Sequence, residues 1–155
     1  MGRRSRRDAA QQGQAVDRVI VVDSSVWIDY LRNASTRQTA LLDRLLGEEQ
    51  VAIADLALVE VLQGTRDDRD FDRTLGRLVA AEPLVVSNHD VAVEAAGHYR
   101  LLRAKSITVR KTIDSLIATR CILDDLPLLY SDRDFDPFVE HLGLRSALDL
   151  GSGVN

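Results

Sequence analysis

A chain of 155 residues with 45% hydrophobic and 28% charged residues has the composition of an ordinary globular domain and is long enough to bury a core. No apolar run approaches the roughly 20 residues that cross a bilayer, no apolar stretch follows the N-terminal arginines as in a secretory signal, and the single cysteine, Cys121, has no internal disulfide partner; a cytoplasmic protein is expected. The formal net charge of −4 does not by itself point to nucleic acid, but the charge is uneven: residues 1–18 hold Arg3, Arg4, Arg6, Arg7 and Arg18 against Asp8 and Asp17, while residues 19–155 hold 15 basic and 22 acidic side chains.

Residues 1–18 are polar, basic and without periodicity, which predicts a disordered extension. Residues 19–150 are expected to form a single domain and residues 151–155 a frayed tail. The domain opens with Val19 to Val22, a β-branched run that ends in Asp23 and reads as a strand buried on both faces. A short helix over Val26 to Arg32 follows, with Asn33 at its end, then a helix capped by Ser35 and closed by Gly47. Val51 to Ala54 is a second strand. Asp55 caps the next helix, which carries Glu60 beside an apolar side formed by Leu56 and Val59. Asp67 to Ala81 is another helix, and Pro83 separates it from a strand over Leu84 to Val86. Asn88 caps a long helix to Lys105, and a break at Ser106 to Val109 leads to the helix that holds Asp114 in its first turn. Leu126 to Tyr130 is a strand interrupted by Pro127 that ends in Ser131 and Asp132. Phe138 to Leu142 forms a short helix closed by Gly143, and Leu144 to Leu150 reads as an edge strand. Strands alternating with helical crossovers predict an α/β fold, a central parallel β-sheet flanked by α-helices.

Asp23 and Asp132 each follow a predicted parallel strand, and ligands of open parallel sheets bind at that edge. An acid there is also an ordinary helix cap, a glutamate on a helix edge is ordinarily solvated, and Asp114 is ordinarily a first-turn acid compensated by the helix dipole. Should Asp23, Glu60, Asp114 and Asp132 converge, they cannot all stay ionised without cations. Oxygen-only ligation without a histidine or cysteine cluster selects Mg²⁺ or Mn²⁺ over Zn²⁺. Such an ion lowers the pKa of water, and a carboxylate not spent on ligation can orient the attacking water, which is the chemistry of phosphodiester hydrolysis.

The segments VVDSSVWIDYL, VEVLQG around Glu60, TIDSLIA around Asp114 and YSDRDF around Asp132 together resemble the PIN-domain ribonucleases, above all the VapC toxins of toxin–antitoxin pairs. The resemblance covers about Val19 to Leu148. It implies a PIN-like fold and an endoribonuclease dependent on Mg²⁺ or Mn²⁺, with Asp23, Glu60, Asp114 and Asp132 as the acidic quartet and Asp23, Asp114 and Asp132 as metal ligands. Asp134, two residues after Asp132, is a further candidate for the same metal role. Ser25 matches a small polar residue that supports the first acid; Ser131 stands where threonine is common in the family. The resemblance also implies an RNA substrate such as tRNA or ribosomal RNA, a homodimer, and a cognate antitoxin that often blocks the acidic pocket with a basic side chain.

An acidic pocket must still attract RNA. Arg100, Arg103, Lys105, Arg110 and Lys111 form a basic stretch before Asp114. Arg110 and Lys111 are the candidates for holding phosphates, against the alternative of a solvated face. His89, His98 and His141 lack ligand spacing, with His98 expected to be partly buried or at the surface. Ser24 and Ser25 lack a base or a nucleophile-elbow setting, and Cys121 reads as core. Two other functions stay open: a Mg²⁺-binding receiver-type regulator, which predicts one aspartyl phosphate and a lysine in the pocket, and a non-catalytic binding module whose acids are caps, which predicts no metal binding.

Overall fold

A computed structural model describes residues 19–48 and 50–150. The predicted extension at residues 1–18 and the tail at residues 151–155 lie outside these. Four short strands, β1 (Ile20–Val22), β2 (Val51–Ala54), β3 (Glu82–Leu84) and β4 (Leu128–Leu129), form one parallel sheet in the order β3-β2-β1-β4. Successive side chains of a strand point to opposite faces, and all four residues of β2 are buried. Both faces of the sheet are therefore covered at β2, whereas Glu82 and Pro83 of β3 are exposed. The covering elements are α1 (Ser24–Leu31), α2 (Arg37–Gly47), α3 (Asp55–Gln63), α4 (Asp68–Leu78), α5 (His89–Ala104), α6 (Thr112–Leu123), α7 (Asp136–Leu142) and α8 (Ala147–Leu150), with a 3₁₀ turn over Arg133–Phe135. No helix among the described residues is long and apolar enough to cross a membrane.

The order of the strands decides where the chemistry sits. β1 is central and pairs with β4 in the register Val22↔Leu129. The amide of Asp23 continues that ladder by donating to the Leu129 carbonyl at 2.9 Å. The two strand-end acids, Asp23 and Asp132, thus leave the same end of adjacent parallel strands. Val21, Val22, Trp27, Leu128, Phe135 and Phe138 are buried around this junction. At roughly 1.5–3 kcal/mol for each large apolar side chain removed from water, this packing holds the strand ends rigidly under the site.

The helices start and stop for local reasons. Asn88 Oδ1 accepts from the Val91 amide, as its position predicts. Asn33 adopts φ 59° after α1 and Gly143 φ 81° after α7, the left-handed conformation that ends helices and that Asn and Gly tolerate best.

Several expectations are corrected. The cap of α2 is Thr36, in a reciprocal capping box with Thr39, rather than Ser35. Asp55 is the first residue of α3 rather than its cap, and its Oδ1 accepts from the amides of Leu56 and Val86, which ties α3 to the segment after β3. The third strand runs from Glu82 to Leu84 and contains Pro83; it is an edge strand, where a missing N–H is tolerated. β4 is shorter than predicted, because only Leu128 and Leu129 keep the ladder. Residues 144–150 do not form an edge strand. A single bridge joins Leu128 to Ser146, and the chain then turns into α8. His98 is buried, its Nδ1 2.9 Å from Thr119 Oγ1.

Candidate metal centre

Asp23 caps α1, and the cap explains its geometry. Its Oδ2 accepts from the Ser25 amide at 3.0 Å and from Ser25 Oγ at 2.6 Å. Ser25 Oγ in turn accepts from the Ser131 amide at 3.2 Å, so one hydroxyl ties the end of β1 to the segment after β4. The other oxygen, Oδ1, is buried without a partner. Capping and ligation thus use different oxygens of one carboxylate, and the two readings of Asp23 are compatible.

Asp114 is the third residue of α6 and is 4% exposed; Asp23 is 2% exposed. Asp114 Oδ2 is also buried without a hydrogen-bond partner. Glu60, half-buried on α3, accepts at Oε1 from Ser24 Oγ at 3.2 Å. Asp23, Glu60 and Asp114 each present an oxygen within 4.8 Å of the others. Asp114, Asp132 and Asp134 form a second such group. All four predicted acids and Asp134 are therefore brought together in two clusters that share Asp114.

The clusters differ in how their charge is met. Burial pushes the Asp23 carboxyl above its usual range, against the hydrogen bonds from Ser25. Burial, with the Asp23 charge behind it, raises Glu60 and pushes Asp114 up to about 7. Asp132 goes the other way. Its burial alone raises it, but the Lys111 ammonium and the Asp134 amide outweigh that and hold it low. The Lys111 Nζ lies 2.8 Å from Asp132 Oδ2, 3.9 Å from Asp114 Oδ2 and 4.0 Å from Asp134 Oδ2. Its ammonium is thus turned into the second cluster. Arg110 stays exposed, in a small hollow with Arg133 and Asp134. Arg100 and Arg103 line a separate depression on α5.

Oxygens around one Mg²⁺ lie at 2.0–2.1 Å from it, so opposite ligands are roughly 4.2 Å apart. In each cluster the oxygens lie within 4.8 Å of one another, near enough for one such ion to reach them. The donor set is oxygen only, and two of its oxygens are buried without partners, which fits a hard divalent cation.

A basic feature was not visible in the sequence. Glu60 also lines a groove of about 720 Å³ whose wall includes Arg32, Arg66, Arg73 and Arg77. Arg66 and Arg73 pair with Asp70, pulling it down to about 2. The Arg77 guanidinium lies 5.5 Å from the Tyr30 ring centroid. These arginines come from the C-cap of α1, the α3–α4 connection and α4, and only the i, i+4 spacing of Arg73 and Arg77 hints that they share a face.

Residues 20–139 match the family model of the PIN domain. The VapC ribonuclease Mb1587 of Mycobacterium bovis is 34% identical over 134 residues, which cover 83% of this chain and 98% of that protein. Ribonuclease VapC11 of Mycobacterium tuberculosis matches to the same extent. Among solved structures, VapBC2 of Rickettsia felis, crystallised with a DNA fragment from its promoter, superposes with a TM-score of 0.65 at 17% identity, over 83% of this chain and 96% of that one. The resemblance read from four short motifs is thus matched over nearly the whole described chain, and the chain belongs to the PIN-domain family, as a VapC-type member.

Proposed function

We propose that this chain is an endoribonuclease, dependent on Mg²⁺ or Mn²⁺, that acts as the toxin of a toxin–antitoxin pair. The observation that carries this reading is a pair of buried oxygens, Asp23 Oδ1 and Asp114 Oδ2, that have no hydrogen-bond partner among the described residues, on two acids clustered with Glu60. Leaving a buried acceptor unmet costs about 1–3 kcal/mol, more for a charged group. A cation between these oxygens removes that cost, whereas a fold using its acids only as caps has no reason to bear it.

In this reading Asp23, Asp114 and Asp132 would hold the cation, with Glu60 and Asp134 beside it. When bound, such an ion makes water easier to deprotonate and offsets negative charge on the phosphate and the leaving oxygen. The chain's own residues do the rest. Ser25 orients Asp23, and Ser24 orients Glu60. Glu60, raised above the usual carboxylate range and still half open, takes the proton of the attacking water. Arg110 and the arginines of the groove beside Glu60 hold the flanking phosphates; contacts of that kind position a nucleic acid without reading its sequence. The substrate class is structured RNA such as tRNA or ribosomal RNA.

The names of the relatives support the ribonuclease reading. The VapBC neighbours support a cognate antitoxin as partner; a homodimer acting in the cytoplasm belongs to the same proposal. The receiver-type alternative has its lysine in the pocket, but its phospho-acceptor would be an aspartate only 2% exposed, in a chain of another family.

The test is incubation of antitoxin-free protein with total cellular RNA and Mg²⁺ or Mn²⁺, beside Asp23→Asn, Asp114→Asn and an EDTA control. Discrete fragments that vanish in both variants and in EDTA establish the activity, and end mapping identifies the RNA. Equal cleavage by the variants removes the site assignment.

A further inference from the structure

We propose that the outward face of α5 is where two copies of this chain meet, as an antiparallel pair of α5 helices that cross at Gly97. The inference deepens the homodimer reading above and rests on it; the metal centre does not enter it.

The first observation is a helix face without a partner. Helix α5 runs for 16 residues and is held to the domain by Val91, Ala95, His98 and Leu102, which are buried at three- and four-residue spacing. Away from that seam, Val93 is 58% exposed and Leu101 55% exposed. Between them Gly97 opens a hollow bordered by Arg100, Arg103 and Ala104. Val93, Gly97 and Leu101 follow one another at four-residue steps, so they form one strip along the helix surface.

The second observation is the glycine itself. A glycine inside a helix is destabilising relative to alanine, because it gives up more backbone freedom on folding. Gly97 does not have a positive φ, and a Cβ there would meet nothing within 4 Å. Nothing inside the folded chain accounts for it. On an exposed face a missing side chain lets a second helix come close, since the distance between packed helices is set by the side chains at their contact. Gly76 of α4 is equally open, but beside it Arg73 is already paired with Asp70.

The order of charges along α5 selects the occupant. Asp90 and Glu94 lie before Gly97, and Arg100 and Arg103 after it. Among the described residues none of the four is in an ion pair. Such a face repels a parallel copy of itself and complements an antiparallel one. With a two-fold axis at Gly97, residues equally far before and after it face each other. Val93 of one copy then meets Leu101 of the other, and Glu94 meets Arg100. The contact is isologous, so each pairing occurs twice. A nucleic acid on the same face would meet Glu94 and leave Val93 and Leu101 unmatched.

The test is sedimentation velocity of the full, antitoxin-free chain over a series of concentrations. The wild type is expected to sediment as a dimer and Gly97→Arg as a monomer. Glu94→Arg and Arg100→Glu are each expected to weaken dimerisation by at least about tenfold, because each sets like charges against one another. The double variant carrying both reversals is expected to regain the dimer. Residues six apart on a helix do not face each other, so that rescue reports a meeting between copies. All variants are expected to keep the wild-type circular dichroism spectrum, since the substituted positions are exposed. A dimer that persists in Gly97→Arg and in both single reversals, or a double variant that fails to regain it, overturns the inference and leaves the homodimer reading standing. A monomeric wild type overturns both.

Discussion

The two halves of the acidic centre share Asp114, yet they solve the problem of clustered carboxylates differently. Around Asp23 and Glu60 burial pushes the carboxyls upward, and among the described residues no ammonium or guanidinium forms an ion pair with either. Around Asp132 the chain supplies its own cation, and the carboxyl is held low. A fold selected for stability alone would have met both in the second way. The half that is left unmet carries an energetic cost, and function is the natural reason for keeping it.

Neutralising one shared or buried acid separates these roles most sharply. Asp114→Asn is expected to lower the RNA-cleavage rate by at least about 100-fold, since losing even a supporting partner of a metal ligand costs roughly 10–100-fold. The same change is expected to raise the melting temperature of the metal-free protein, because it removes a buried carboxylate short of partners. A variant both inactive and less stable than wild type would mean that Asp114 is part of the scaffold.

Ser25→Ala probes the support of the first half. It removes the 2.6 Å hydrogen bond to Asp23 and the acceptor of the Ser131 amide. The expected result is about 1–3 kcal/mol less stability by urea denaturation and roughly 10–100-fold weaker Mn²⁺ binding by calorimetry. Unchanged Mn²⁺ affinity would show that Asp23 needs no help from Ser25.

The same contrast fixes a pH dependence. An exposed aspartate titrates near 4, whereas Asp114 is pushed up to about 7. Between about pH 4 and 7 the unfolded chain has released a proton that the folded chain still holds, so this group's contribution to stability falls as pH rises through that window. Melting scans in EDTA are expected to show a wild type that loses stability relative to Asp114→Asn from pH 4 to 7. A constant difference would contradict the shift.

These residues were legible to different degrees. Asp23 and Asp132 stood out because a buried strand announces itself as an apolar run, β-branched before Asp23 and leucine-rich before Asp132, and the acid after it marks the sheet edge. That β1 and β4 are neighbours is a fact of topology no local pattern contains. The last segment was misread because Leu144, Ala147, Leu148 and Leu150 fit an apolar strand as well as a short helix, and one bridge at Ser146 was all the sheet accepted. Lys111 was read as a phosphate ligand from its place beside Asp114. Its hold on Asp132, 21 residues away, depends on how α6 meets the end of β4. The arginine groove likewise exists only once α1, α3 and α4 have packed.

That groove supplies the smallest expected effect. Arg32→Ala with Arg77→Ala should weaken RNA binding without changing the bound Mn²⁺ count. The slope of log affinity against log salt should fall by about 1.4 if each arginine meets one phosphate of a single strand. An unchanged slope would put the RNA path elsewhere.

The most direct test of the contrast is a crystal of the full chain soaked in Mn²⁺, with anomalous scattering used to locate the metal. A peak among Asp23, Glu60, Asp114 and Asp132 is the predicted result. A map with no peak among these acids would contradict it, because the unmet carboxylates would then not serve a cation.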